Sequence, residues 1–274
     1  MINGFDPEFD DATWTLDWLR VPLLQVPPGE YESGYRVVRE FMYDFEAFGR
    51  RYHLDEPLDV RALFDPNNVL WMSDVPQERM MMYNNAGLSW GRVLVGGAGL
   101  GLYPQYVTQA TSFTIIERSP IVVKLVAPVL KEVMDRRGVE LRFILGDAET
   151  YLARAEPEEY DTIFLDTWNR LDATLLPHIN RMRDDAARHL APHGRVLLWG
   201  YRWMVRLFEE ACAALLTIPP GEREAWLEEQ LQAVPGAAPL LQPVADTFRG
   251  RAVGRDELDE AVAQCRAWVM RLKE

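Results

Sequence analysis

The stretch Arg92-Val-Leu-Val-Gly-Gly-Ala-Gly-Leu-Gly101 constrains the fold more than any other part of this chain. An apolar run that gives way to glycine at alternate positions (Gly97, Gly99 and Gly101) reads as a buried strand turning sharply into a helix that begins near Leu102. Glycines there permit the tight turn and a close approach of backbone to ligand, and the helix start offers free N–H groups. Four further short aliphatic or β-branched runs follow: Phe113–Ile116, Leu141–Leu145, Thr162–Leu165 and Val196–Trp199. Helix-like stretches separate them, notably Pro120–Arg137 and Ala173–Leu190. Strands alternating with helices imply an α/β fold, with a mostly parallel sheet covered by helices on both faces.

The glycine spacing discriminates between ligands. A dinucleotide fingerprint needs Gly-x-Gly-x-x-Gly. Counted from Gly97 the sixth residue is Leu102, and from Gly99 it is Pro104, so a nicotinamide cofactor is disfavoured. Three acids then fall at the ends of later strands. Glu117 closes Phe113-Thr-Ile-Ile-Glu117, 20 residues after Gly97, where a carboxylate accepts from ribose hydroxyls. Arg118-Ser-Pro120 opens the next helix, with Ser119 as its cap. Asp147 follows the third strand in Gly146-Asp-Ala148, where it serves as a helix cap, a ligand contact, or both. Asp166 ends the fourth strand in Tyr160-Asp-Thr-Ile-Phe-Leu-Asp166-Thr-Trp-Asn169, and Asp161 precedes that strand. Side chains at the carboxyl edge of a parallel sheet project into the ligand crevice, which makes Asp166 the best-placed ionisable group for chemistry. Trp168 either floors an acceptor pocket or packs under a loop.

Both flanks read as helical. Within residues 1–89, Tyr35, Val38, Phe41, Met42, Phe45 and Phe48 recur at spacings of three and four, which predicts a helix over about Ser33–Tyr52. A second helix is predicted from Gln77 to Ala86, with Ser73 or Asp74 as cap and Pro76 in its first turn. Residues 90–216 make the sheet domain. After it, Trp203–Leu216, Glu222–Ala233 and Asp256–Lys273 read as helices, and Pro235–Pro243 as a connecting loop, so 217–274 forms a helical extension.

The net charge of −13 and the lack of a dense Lys/Arg cluster argue against nucleic acid and anionic membranes as partners. No run reaches the roughly 20 apolar residues of a membrane span, and the acidic start Met1–Asp11 has no signal-peptide core. A cytoplasmic protein with reduced Cys212 and Cys265 is the simplest reading, although a disulfide between them stays open. His53, His178, His189 and His193 make no metal-ligand pattern, since Pro192 breaks the helix that His189 and His193 would need. No Gly-x-Ser-x-Gly elbow is present. Met80–Met82 suits helix packing, and Tyr83, Tyr201 and Trp203 suit core or interface better than a pocket wall.

Taken in order, the glycine loop, Glu117-Arg-Ser-Pro120, Gly146-Asp-Ala148 and Leu165-Asp166 resemble the motifs of the class I S-adenosylmethionine-dependent methyltransferase superfamily. They look most like its spermidine-synthase-like branch, and the preceding Trp71-Met-Ser-Asp-Val-Pro-Gln-Glu78 is similar to a substrate-side segment there. The resemblance implies a Rossmann-like domain that binds S-adenosylmethionine. Gly97, Ala98, Gly99 and Gly101 would hold the methionyl end, Glu117 the ribose, and Asp147 and Ala148 the adenine, with Arg118 also on the cofactor side. Asp166 would contact the cofactor and act as base if one is needed, with Trp168 and Asn169 on the substrate side.

An aminopropyltransferase using decarboxylated S-adenosylmethionine is the alternative. Two departures weigh against it: Gly99 stands where polyamine synthases carry an acid in their loop, and Asn169 where they carry the second Asp of Asp-Ser-Ser-Asp-Pro. An Asn cannot serve as a carboxylate base. A protein that binds the cofactor without catalysis is the third reading. The sixth and seventh strands usual in that fold are not found after Leu216, so the helical tail either replaces them or packs as a lid or homodimer surface. The expected partner is a small-molecule acceptor.

Overall fold

In a computed structural model, residues 16–47, 49–154 and 159–273 are described. Phe48 and the acidic start Met1–Asp11 lie outside them. The chain divides into two compact units, one running to Asn169 and including Asp185–Trp199, the other made of Arg170–Asp184 and Gly200–Glu274.

The first unit holds a five-stranded sheet built from β5 (Trp90–Gly96), β6 (Gln109–Glu117), β7 (Glu140–Leu145), β8 (Tyr160–Leu165) and β9 (Leu190–Leu198). Their order is β7-β6-β5-β8-β9 and every neighbouring pair is parallel, which is a Rossmann-like arrangement. Consecutive residues Val93, Leu94 and Val95 are all buried, as are Ile163, Phe164 and Leu165. A central parallel strand covered on both faces needs this continuous apolar character. α3 (Pro120–Arg137) packs on β6 and β7 with the expected limits, Pro120 in its first turn and Ser119 as cap, its hydroxyl accepting from Val122 N at 3.4 Å. α4 (Ala148–Arg154) starts beside Asp147, whose carboxylate accepts from Thr150 N at 2.8 Å. Asp161 is occupied at the opposite edge, accepting from Arg92 N at 2.7 Å.

The N-terminal part of this unit corrects the helical expectation. Ser33–Tyr52 is not a helix. β2 (Arg36–Ala47) and β3 (Arg50–Phe64) form a long antiparallel hairpin, flanked by β1 (Gly29–Glu30) and β4 (Leu70–Ser73) in the order β1-β2-β3-β4. Apolar residues on both faces of β2, together with a register shift between Met42 and Asp44, imitate the three-and-four spacing of a helix. Phe41 and Tyr43 stay exposed, whereas Phe45 is buried, stacked on Tyr52 at 4.8 Å and edge-on to Trp18 at 6.3 Å.

α1 (Pro76–Gly87) matches the second predicted helix, but neither Ser73 nor Asp74 caps it. The N-cap is Val75. Asp74 is buried and instead accepts from Arg79 at 2.7 Å, from Gln25 at 2.8 Å and from the backbone N of Arg61. Met80, Met81 and Met82 are buried in this helix.

The second unit is helical. α5 (Leu176–Ala187) enters it from a turn capped by Asp172, and α6 (Tyr201–Thr217), α7 (Arg223–Ala233) and α9 (Leu258–Val269) fall close to the predicted spans. Pro235–Pro243 is not a plain loop. A 3-10 turn at Pro235–Ala237 leads into α8 (Ala238–Thr247), because Pro239 lies in the first turn, where its missing N–H costs nothing. Pro243 lies inside that helix. Tyr201 is buried, donating to Asn180 at 2.6 Å and accepting from Arg183 at 3.3 Å. Cys212 on α6 and Cys265 on α9 are buried free thiols, and the hydrogen bond between them, with burial, pushes the Cys212 thiol up. Among the described residues no strand follows Leu198, and no helix is long and apolar enough to cross a membrane.

Candidate active site

The ladder of the parallel sheet continues past the strand ends at its carboxyl edge. Gly97 N donates to Ile116 O at 2.9 Å, Asp166 N to Gly96 O at 2.8 Å and Trp199 N to Leu165 O at 2.9 Å. This alignment places the glycine loop, the Asp166 turn and Trp199 side by side. Gly97 has φ +90°, and a Cβ there would lie 2.1 Å from the carbonyl oxygen of Asp166, so only glycine permits the crossing. A Cβ at Gly101 would meet Val126 of α3 at 2.9 Å, so glycine there lets α3 pack close to the loop. α2 (Leu102–Tyr106), which follows it, is too short to offer much of a helix dipole. The loop's own donors matter more. The N–H groups of Gly99 and Leu100 have no hydrogen-bond partner among the described residues, and a Cβ on Gly99 would meet open space.

Beside the loop lies a cleft of about 230 Å³. Its floor is Gly97–Leu100 with the ends of β5 and β8, and one wall is Asp166, Trp168, Asn169 and Trp199. A second wall comes from Leu70, Trp71, Met72 and Ser73 of β4 in the N-terminal sheet, then Glu78 and Met82 of α1. The Asp74 network fixes this second wall. By tying Arg61 of β3 to Arg79 of α1, it anchors the first turn of the helix so that Glu78 faces the sheet edge. Trp199 Nε1 donates to the Glu78 carboxylate at 2.9 Å, and Trp168 Nε1 donates to the Trp199 carbonyl at 3.2 Å. Tyr103 stacks on Phe164 with ring centroids 3.9 Å apart and lines the cleft beneath them.

The electrostatics are one-sided. Two acids, Glu78 and Asp166, line the cleft, and among the described residues no Lys, Arg or His does. Desolvation raises the Glu78 pKa to about 7, against the lowering effect of the Trp199 hydrogen bond. Desolvation also raises Asp166 well above the usual carboxylate range, and the neighbouring charges of Glu78 and Glu117 add to the shift. Such a pair accommodates a cation, or holds protons until one arrives.

Of the residues expected at the site, Gly97, Ala98, Gly99, Asp166, Trp168 and Asn169 come together around the cleft. Gly101, Glu117, Arg118, Asp147 and Ala148 do not line it. Glu117 is buried behind the loop, one oxygen accepting from Ala98 N at 2.9 Å and the other from Ser119 N at 2.8 Å. Arg118 and Asp147 are exposed, and Ala148 packs against the backbone at Gly96. Tyr83 meets Tyr106 edge-on at 5.5 Å, outside the cleft. Sequence reasoning missed Glu78 and Trp199 as site residues. The only available signal was the segment from Trp71 to Glu78, which ends on the acid concerned.

No protein-family model matches this chain, and no curated protein does. Solved structures similar to it include an S-adenosylmethionine-dependent methyltransferase from Clostridium acetobutylicum, at 11% identity over 46% of this chain and 50% of that one, with a TM-score of 0.33. Another, from Thiobacillus denitrificans, is in complex with S-adenosyl-L-homocysteine, at 17% identity over 43% and 46%, TM-score 0.33. The spermidine synthase of Thermotoga maritima is 15% identical over 61% and 62%, TM-score 0.33. The matched part thus spans half or less of these methyltransferases and under two thirds of the synthase. The parallel sheet has a Rossmann-like fold, and the solved structures that resemble part of the chain include S-adenosylmethionine-dependent methyltransferases and a spermidine synthase.

Proposed function

We propose that the chain is an S-adenosylmethionine-dependent methyltransferase acting on a small molecule. The observation that carries this reading is the cleft itself, in which loop N–H groups at Gly99 and Leu100 without a partner among the described residues meet a pair of acids, Glu78 and Asp166, with no basic residue among the described residues of the lining. The cofactor has complementary parts, a carboxylate for N–H donors and a sulfonium and an ammonium for acids. When bound, S-adenosylmethionine supplies an electrophilic methyl carbon. Gly97–Leu100 would hold its methionyl end. Glu117 would take the ribose, since each carboxylate oxygen accepts more than one hydrogen bond and those to Ala98 and Ser119 leave capacity. Asp147 and Ala148 would stand at the adenine, with Asp147 capping α4 at the same time. Trp71, Trp168 and Trp199, which line the cleft, would wall the acceptor side and exclude water from the transfer.

An aminopropyltransferase would need acids at positions that here are Gly99 and Asn169. Calorimetric titration with S-adenosylmethionine, its decarboxylated form, S-adenosylhomocysteine and NAD tests the assignment. The carboxylated sulfonium and its demethylated product are expected to bind best. Preference for the decarboxylated form would favour aminopropyl transfer, and binding of NAD alone would overturn both. Methyl turnover with any acceptor would exclude a purely cofactor-binding role.

A further inference from the structure

We propose that Glu78 takes the proton that the acceptor loses on methylation, and that its protonation follows the charge of the bound cofactor. This rests on the methyltransferase reading above and deepens it. Glu78 and Asp166 face the same small cleft, one from α1 and the other from the end of β8, and the sheet edge adds Glu117 behind the loop. Tyr103 and Trp199 pack beside them uncharged, and Arg79, the next residue on α1, is committed to Asp74 and to the carbonyl of Asp59. With no cationic side chain lining the cleft among the described residues, two negative charges cannot comfortably coexist there.

The two acids are not equivalent. Glu78 accepts a hydrogen bond from Trp199 Nε1, which favours its ionised form, whereas no donor reaches the Asp166 side chain among the described residues. When the pair carries a single negative charge, that charge therefore rests on Glu78 and the proton on Asp166. A sulfonium in the cleft stabilises the Glu78 carboxylate and makes it a base. In the transfer, the sulfur–methyl bond breaks with its electron pair left on sulfur, and the acceptor's lone pair forms the new bond to carbon. The proton leaves the acceptor N–H or O–H for Glu78, and passes from there to solvent. With the sulfonium gone, the neutral thioether no longer opposes protonation of Glu78. The same one-sided charge rejects carboxylate and phosphate acceptors and selects nitrogen or hydroxyl nucleophiles.

The test needs no acceptor. Binding of S-adenosylmethionine and of S-adenosylhomocysteine to the full chain is measured calorimetrically from pH 6 to 8 in buffers of different ionisation enthalpy, which counts protons. The α-amino group is common to both ligands, so its titration nearly cancels in the comparison. With a Glu78 pKa of about 7, the sulfonium should release about half a proton more than the thioether at pH 7, and its relative affinity should rise about tenfold from pH 6 to 8. Glu78→Gln should abolish that difference, while Asp166→Asn keeps it. Trp199→Phe, which removes the donor to Glu78, should move the midpoint upward in pH, so the proposal remains testable if Glu78→Gln does not fold. Equal proton release for the two ligands in the unmodified protein, or a difference that survives Glu78→Gln, would overturn the role of Glu78 alone. Failure of both ligands to bind would instead remove the cofactor reading beneath it.

Discussion

The two sheets of the first unit are built on opposite terms. In the parallel sheet, residues such as Leu94, Ile115 and Ile163 are inaccessible to solvent, and neighbouring positions along one strand are buried alike. In the antiparallel sheet, buried residues such as Val37 and Phe45 stand among exposed ones, and Phe41 and Tyr43 are left about half exposed. The first is a rigid frame whose edge carries backbone donors and Asp166, and the second is a wall that brings Trp71 and Glu78 to that edge. On the proposed methyltransferase reading, the cofactor side of the cleft would be set by turn geometry and the acceptor side by a polar network between α1 and β3.

If that division holds, substitutions should fall in order of how tightly each side is determined. The largest effect is expected at the frame. Gly97→Ala would force a Cβ onto the Asp166 carbonyl at a positive φ, which should cost about 4–5 kcal/mol or prevent folding, read by chemical denaturation. The Asp74 network comes next. Asp74→Asn would leave buried Arg79 facing a neutral partner and should cost about 3 kcal/mol, with weaker acceptor binding and a smaller loss of cofactor affinity. Equal losses on the two sides would mean that the wall and the frame are one cooperative element.

Third is a stability effect of opposite sign. The Glu78 pKa lies above its ordinary value of 4.5, so the folded state binds the proton more tightly than the unfolded state does. The stability Glu78 contributes is then complete below pH 4.5 and is lost as the pH rises toward 7. Glu78→Gln should therefore stabilise the protein by about 1–3 kcal/mol at pH 8 and by much less at pH 4.5, seen as a Tm difference that grows with pH. The smallest effect belongs to the hairpin tip. Gly49 has φ +74° but open space around its Cβ position, so Gly49→Ala should cost only about 1 kcal/mol. A loss as large as that at Gly97 would show that the hairpin tip is as constrained as the frame.

The same contrast explains what could be read in advance. The strands of the parallel sheet announce themselves as continuous apolar runs, and α3 carries its own limits in Ser119, Pro120 and Gly138. The hairpin gives no such local notice. Its pairing of Arg36 with Phe64 joins residues far apart in the chain, and a window over Ser33–Tyr52 sees only apolar residues at misleading spacings. Asp74 looks like a helix cap because it stands just before Pro76, yet three partners from Gln25, Arg61 and Arg79 outcompete that role.

From sequence alone, the chain determined its parallel α/β frame, the glycine loop, and Glu117, Asp147 and Asp166 at successive strand ends, because each is announced by a local pattern of apolar runs and turn residues. Only the tertiary structure decided that Glu117 turns to the backbone of Ala98 and Ser119, that Glu78 faces Asp166, and that Trp199 holds Glu78 from 121 residues away. Those relations come from chain crossings at one sheet edge. Burial there raises the cost of charge, and burial is a property of the assembled fold rather than of any residue in it.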